Sequence, residues 1–169
     1  MSAELEGKAP FKTLLGHALV KDENGRDMHK SWGNAIWFDD AAEKMGVDVM
    51  RWMYSLQNIE QNLLFGYGPA DEVRKKLITL WNVYSFYATY AAVDGFNPSN
   101  YPLKLNDLNI LDRWVIAKIH VLIRDGQKSM EQFRVDMFMK SFEIFLEELS
   151  NWYVPVSYTH LTLPTSTHG

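Results

Sequence analysis

The stretch that decides the fold is residues 25–34, which read Gly25-Arg26-Asp27-Met28-His29-Lys30-Ser31-Trp32-Gly33-Asn34. The Asn-Gly dipeptide at residues 24–25 is typical of a tight two-residue hairpin turn, because both residue types tolerate a positive φ. We therefore expect a strand over residues 14–20 that runs up to this turn. A loop follows the turn and leads to the first helix.

The loop carries side chains that suit a phosphate contact. Lys30 supplies a mobile ammonium group, and Ser31 supplies a hydroxyl. Gly33 lets the backbone approach a ligand closely, and Asn34 supplies an amide. Because ammonium groups and hydrogen-bond donors stabilise phosphate oxygens, the loop is a candidate phosphate-binding element.

Helical spacing dominates the rest of the chain. Two short helices are predicted, one over residues 39–46 and one that Asp48 caps. The Gly-rich residues 66–69 mark a boundary, after which a long amphipathic helix is expected. A second long helix should end at Gly126, and a third should open with the capping-box pair Ser129 and Gln132. Three long helices predict an antiparallel bundle, so the fold class is mainly α.

Composition excludes several classes of protein. The chain has 169 residues, 47% of them hydrophobic, a net charge of −4 and no cysteine. Disorder and a generally basic nucleic-acid binder are therefore disfavoured, and a thiolate zinc site is excluded within this stretch. No apolar run approaches the ~20 residues of a membrane span, so we expect a soluble, cytoplasmic chain with no membrane partner.

Residues 28–34 resemble the Lys-Met-Ser-Lys-Ser signature loop of class I aminoacyl-tRNA synthetases. The second signature lysine corresponds to Lys30 and the final serine to Ser31. Two positions depart from the pattern, since Asp27 replaces the first lysine and His29 replaces the first serine. The departure at residue 27 should leave the phosphate contact to Lys30 and Arg26.

Further stretches narrow the resemblance to isoleucyl-tRNA synthetases, over about residues 8–154. They are Pro10-Phe11-Lys12-Thr13, Gly46-Val47-Asp48-Val49-Met50-Arg51-Trp52, Leu80-Trp81-Asn82-Val83-Tyr84, Leu111-Asp112-Arg113-Trp114 and Leu149-Ser150-Asn151-Trp152-Tyr153-Val154. The valyl and leucyl enzymes share the architecture, so they stay alternatives. A non-catalytic helical module that binds RNA or protein is the alternative from another class.

The resemblance implies a division of the chain. Residues 1–66 would be the end of a Rossmann-type catalytic domain, comprising a strand or hairpin, the signature loop at residues 26–34 and short helices. Residues 67–154 would be a truncated anticodon-binding helical bundle. Residues 155–169 match neither part, and we interpret them as a non-native tail that translates a sequencing adapter.

The resemblance also implies the chemistry. The complete enzyme would activate isoleucine with ATP, with Mg²⁺ inferred, and transfer it to tRNA(Ile); the fragment alone should be inactive. Lys30 would be catalytic, since it would stabilise the charge on the leaving pyrophosphate. The ATP-binding residues would be Met28, His29, Lys30, Ser31, Gly33 and Asn34, and the tRNA contacts would be Arg113 and Trp152.

Overall fold

The computed structural model describes the backbone of residues 2–157 and the side chains of residues 4–157. Its helices are α1 (Ser2–Glu6), α2 (Phe38–Lys44), α3 (Val47–Leu56), α4 (Tyr67–Val93), α5 (Ile110–Glu131) and α6 (Val135–Glu148), and its strands are β1 (Val20–Asp22) and β2 (Leu63–Phe65). The structure is therefore mainly helical, as predicted. Most of the predicted foreign tail, residues 158–169, lies outside the described residues.

The two strands form a small parallel sheet. β1 and β2 pair Val20 with Leu63 and Asp22 with Phe65, and α2 and α3 form the connection between them. The predicted strand over residues 14–20 is wrong in extent, since only Val20 of that range belongs to β1. β2 is itself three residues long, so it offers no ladder partners to most of the preceding segment.

The turn after β1 is a three-residue loop rather than the predicted two-residue one. The Gly25 amide donates to the Asp22 carbonyl at 2.9 Å, and the Asp22 amide donates to the Arg26 carbonyl at 2.9 Å. Gly25 has a φ of 79°, whereas Asn24 does not have a positive φ. This is a type I turn closed by a glycine in the left-handed region, and it does not require a positive φ at the asparagine.

One hydrophobic core joins the sheet, the short helices and two of the long helices. It continues across residue 66, where α4 begins, because the first turns of α4 and one residue of α6 pack on α3. Burial of these apolar side chains is the main stabilising contribution to this part of the chain. The buried core residues are Ala41, Met45, Val49, Met50, Trp52, Met53, Phe65, Ala70, Val73 and Leu146.

The long helices are arranged up, down and up. α5 and α6 are antiparallel, because Gly126 late in α5 faces Phe138 early in α6, while Trp114 early in α5 contacts Trp152 just after α6. α6 also contacts α4. The chain continues beyond α6 as a π-helical turn over Leu149–Tyr153.

The predicted boundary between the second and third long helices is wrong. α5 continues past Gly126 to Glu131, and α6 begins at Val135, so Ser129 and Gln132 form no capping box. The Ser129 hydroxyl instead donates to the Asp125 carbonyl at 2.8 Å within α5. Gly126 serves close packing rather than helix termination, since it is buried against the Phe138 ring.

Gly126→Val should destabilise the chain by about 2 kcal/mol, because overpacking a helix contact costs about 1–3 kcal/mol. A Cβ at residue 126 would lie 2.7 Å from Cδ2 of Phe138, which is closer than real contacts allow. Urea unfolding of the 169-residue chain measures the effect. The exposed neighbour substitution Gln127→Val is the control for the intrinsic helix cost of valine. Equal destabilisation by the two variants would contradict the packing role.

Candidate functional site

The loop at residues 26–34 connects the turn after β1 to α2. Residues Lys30–Trp32 form a single 3-10 turn, which Gly33 closes with a φ of 72° and an amide that donates to the Lys30 carbonyl at 3.2 Å. The side chains of Lys30 and Ser31 are exposed, whereas Met28 is half-buried. The tight turn therefore presents the two signature residues at the surface.

The Asn34 side chain holds the loop together. Its Nδ2 donates to Oδ2 of Asp22 at 2.9 Å and to the carbonyl of Asp27 at 2.9 Å. Its Oδ1 accepts from the backbone amide of His29 at 3.0 Å. The amide is thus occupied within the loop in this structure, and its predicted contact with phosphate stays a prediction.

Asp22 is the buried anchor of this arrangement, and sequence reasoning did not identify it. Its Oδ1 accepts from the backbone amides of Asn24 at 3.0 Å and Arg26 at 2.8 Å, and only 8% of the residue is exposed. The hydrogen bond from Asn34, followed by that from the Arg26 amide, holds the pKa of Asp22 below its ordinary value. An aspartate two residues before the Asn-Gly dipeptide was the available signal, since Asp commonly opens turns.

Acid should loosen the loop by protonating Asp22. The folded-state pKa lies below the ordinary value of 3.8, so the stabilisation is complete above about pH 4 and is lost as the pH falls through the folded pKa. NMR of the Asn34 side-chain amide protons measures this, since their shifts should move with Asp22 titration. In Asp22→Asn the same protons should not titrate in this range. A wild-type titration at or above pH 3.8 would contradict the assignment.

The carboxylate of Asp27 forms an ion pair with Lys21. Its Oδ1 lies 3.3 Å from Nζ of Lys21, and the backbones of Lys21 and Asp27 form an antiparallel bridge. Asp27 therefore does not present an unpaired carboxylate beside the loop. Lys21 was missed from the sequence because it lies in a strand six residues before its partner.

The remaining loop side chains contact aromatic rings. The His29 ring packs edge-on against Trp32 with centroids 4.3 Å apart. The Lys30 ammonium lies 4.4 Å from the ring centroid of Trp37, which directly precedes α2. Among the side chains of residues 4–157 no carboxylate forms an ion pair with Lys30, so its charge is available to an anion.

The turn that precedes the loop contacts the start of α4. Glu23 Oε2 accepts from the Gly68 amide at 3.3 Å, in the first turn of α4. A Cβ on Gly66 would lie 2.6 Å from the same oxygen and 2.8 Å from Cβ of Glu23, so a glycine at residue 66 permits this close approach. A carboxylate at a helix N-terminus is stabilised by the helix dipole, and this contact ties the loop to the long helix.

The two predicted tRNA contacts lie near the start of α5 and just after α6. The Arg113 guanidinium donates to the carbonyls of Leu108 at 3.0 Å and Asn106 at 3.2 Å. Trp152 packs edge-on against Trp114 with centroids 4.5 Å apart and is 46% exposed. Arg113 is thus engaged by the preceding connection, while Trp152 keeps part of its ring accessible; neither observation tests binding of tRNA.

The described part of the chain contains neither a cluster of metal-ligating side chains nor a helix suited to a membrane. No group of three or more His, Cys, Asp and Glu side chains between residues 4 and 157 is arranged to hold a metal ion. In the same range no helix combines the length and the apolar character that crossing a membrane requires.

The amino-acid sequence of the chain is similar to that of known proteins. Residues 1–65 match the model for class I tRNA synthetases of the I, L, M and V types. The isoleucine–tRNA ligase of Clostridium tetani is 39% identical over 150 residues, which are 86% of this chain and 14% of that protein. The isoleucine–tRNA ligase of Pyrococcus furiosus is 33% identical over 147 residues, again 86% of this chain and 14% of that protein.

The chain spans about one seventh of the length of these curated relatives. The match nevertheless extends over most of the chain, so it includes the helices beyond the family-model region as well as the loop. The chain therefore belongs to the class I tRNA synthetase family, and the relatives that match most of its length are isoleucine–tRNA ligases.

Proposed function

We propose that this chain is the segment of an isoleucine–tRNA ligase that carries the signature lysine, and that Lys30 acts in isoleucine activation. In that reaction the carboxylate of isoleucine attacks the α-phosphorus of ATP, and the bond to the β-phosphate oxygen breaks to release pyrophosphate. Negative charge develops on the leaving pyrophosphate. An ammonium group placed there stabilises the transition state more than the ground state.

The observation that carries the proposal is the construction of the loop around an available lysine. Asn34 closes the loop on Asp22 and Asp27, while the Lys30 side chain remains exposed and forms no ion pair with any side chain of residues 4–157. Asp27, the residue that departs from the signature, is paired with Lys21. The loop thus retains the Lys30 charge for phosphate although the first signature lysine is absent.

The other loop residues have supporting roles in this proposal. Ser31 and the backbone around Gly33 would contact phosphate oxygens, and Met28 and His29 would shape the ATP site. No group of three or more metal-ligating side chains occurs among residues 4–157, and we assign no Mg²⁺ ligand to this segment. We therefore place Mg²⁺ with ATP and the remainder of the enzyme, and none of the steps above depends on it.

The helices α4 to α6 are proposed to belong to the anticodon-binding bundle, with the domain division at residue 66. The partial exposure of Trp152 supports a stacking contact with a tRNA base, since aromatic side chains stack on unpaired bases. Arg113 is the weaker candidate, because its guanidinium already donates to two backbone carbonyls. Family membership supports cytoplasmic protein synthesis as the setting.

A chimera tests the function. Replacing the matched segment of the Clostridium tetani enzyme by residues 8–154 of this chain should give isoleucine-dependent exchange of pyrophosphate into ATP. Valine and leucine should support much less exchange, and the separate 169-residue chain should support none. The parent enzyme, carried through the same assay, is the control. A folded chimera without exchange would contradict the proposal, as would isoleucine-dependent exchange by the separate chain.

A further inference from the structure

The contact between Lys30 and Trp37 concerns the loop cation to which the catalytic role is assigned. Nζ of Lys30 lies 4.4 Å from the Trp37 ring centroid, a distance at which the ring face attracts a cation. Trp37 occupies the N-cap position of α2, with an extended backbone and a carbonyl that accepts from the Ala41 amide at 2.9 Å. The ring is therefore carried by a helix end, while the lysine is carried by the loop.

Among the side chains of residues 4–157, no acidic group forms an ion pair with this ammonium. Asp22 is occupied by Asn34 and two backbone amides, and Asp27 is paired with Lys21. The indole is 55% exposed, so an anion can reach the lysine from solvent without displacing packed side chains. The Lys30 ammonium thus has a defined partner, Trp37, and is accessible to an anion from solvent.

We propose that Trp37 is a positioning residue, whose ring holds the Lys30 ammonium in a resting position until a phosphate group takes it. This inference rests on the proposed role of Lys30 in isoleucine activation. A charge-assisted contact with phosphate is stronger than an exposed cation–π contact, so the transfer is favourable. The ring contact belongs to the ground state and must be broken before the transition state, so it slows the step slightly.

Whether Trp37→Leu raises or lowers kcat/KM distinguishes a positioning role of Trp37 from a packing role. An exposed cation–π contact corresponds to a factor of about two to five in an equilibrium constant. Trp37→Leu should therefore raise kcat/KM for ATP in the chimera by about two- to fivefold. Trp37→Phe keeps a ring face and should stay near the wild-type value. Loss of a merely structural side chain would lower kcat/KM instead.

NMR of the 169-residue chain tests the contact independently of activity. In protein labelled with ¹³C at lysine Cε, the Lys30 Hε protons should be shifted upfield by the indole ring. Trp37→Leu should remove the shift, and Trp37→Phe should retain part of it. Phe38→Leu, which removes the adjacent aromatic ring of 64% exposure, should leave the shift and the kinetics unchanged.

The outcomes distinguish this inference from the function on which it rests. Absence of the upfield shift in the wild-type chain, or its persistence in Trp37→Leu, would overturn the resting position whatever the enzyme does. Unchanged or lowered kcat/KM in Trp37→Leu would overturn the positioning role. An unchanged exchange rate in Lys30→Ala would refute the proposed function, while the NMR contact could still be present.

Discussion

Lys30→Ala in the chimera should lower kcat for pyrophosphate exchange by about 100- to 1000-fold, the usual effect of removing one group that stabilises developing negative charge. Arg26 is the other lysine or arginine of the described loop, but it lies four residues before the signature position that Lys30 occupies. Lys21 is paired with Asp27, and Asp27 itself replaces the other signature lysine. The largest part of the effect should therefore fall on the single substitution Lys30→Ala.

The division of the effect between kcat and KM is informative. If Lys30 binds the phosphates more tightly as pyrophosphate leaves, kcat falls while KM for ATP changes little. Lys30→Arg keeps the charge but alters its geometry, so we expect an intermediate rate. Lys128→Ala removes an exposed lysine on α5 and is the matched control. A rate within twofold of wild type for Lys30→Ala would exclude Lys30 from catalysis.

Local signals predicted the long helices but not the position at which α5 ends and α6 begins. The spacing of apolar residues correctly indicated the long helices α4, α5 and α6. The sequence predicts a helix end at Gly126, because glycine favours termination when only local preferences are considered. The decisive factor was the Phe138 ring on the next helix, and such a contact between distant residues leaves no mark in the local pattern.

At the candidate site, too, the sequence identified some functional residues and missed others. Lys30 and Ser31 were identified because a motif specifies residue types at fixed spacing, and the structure exposes both side chains. Asp22 and Lys21 were missed, because the hydrogen bond from Asn34 to Asp22 and the ion pair of Lys21 with Asp27 join residues that are twelve and six positions apart. The role of Asn34 in closing the loop likewise follows from its three hydrogen-bond partners and not from its residue type.

Asn34→Ala should lower exchange by about 10- to 100-fold although the Asn34 side chain is uncharged and hydrogen-bonded within the loop, because small displacements of a catalytic side chain have effects of this order. The substitution deletes the hydrogen bonds to Asp22 Oδ2, the Asp27 carbonyl and the His29 amide. Each such bond contributes about 1 kcal/mol to local stability. The loop should then sample several conformations, of which few present Lys30 correctly.

Asn34→Asp should be more damaging than Asn34→Ala. The new carboxylate would take the place of a donor that lies 2.9 Å from Oδ2 of Asp22, so two like charges would meet at hydrogen-bond distance. Raising the ionic strength should relieve little of this repulsion, because Asp22 is buried and such pairs are weakly screened. Asn82→Asp, on the exposed surface of α4, is the control for the added charge.

The reciprocal double substitution tests the hydrogen bond between the side chains of Asn34 and Asp22. In Asp22→Asn combined with Asn34→Asp, an amide at residue 22 can donate to a carboxylate at residue 34, which restores the bond between the two side chains with its direction reversed. The new carboxylate can still accept from the His29 amide, but it cannot donate to the Asp27 carbonyl. We therefore expect partial recovery of exchange relative to Asn34→Asp, with a coupling energy of at least about 0.5 kcal/mol. Strictly additive losses would show that Asn34 acts on Lys30 by a route other than Asp22.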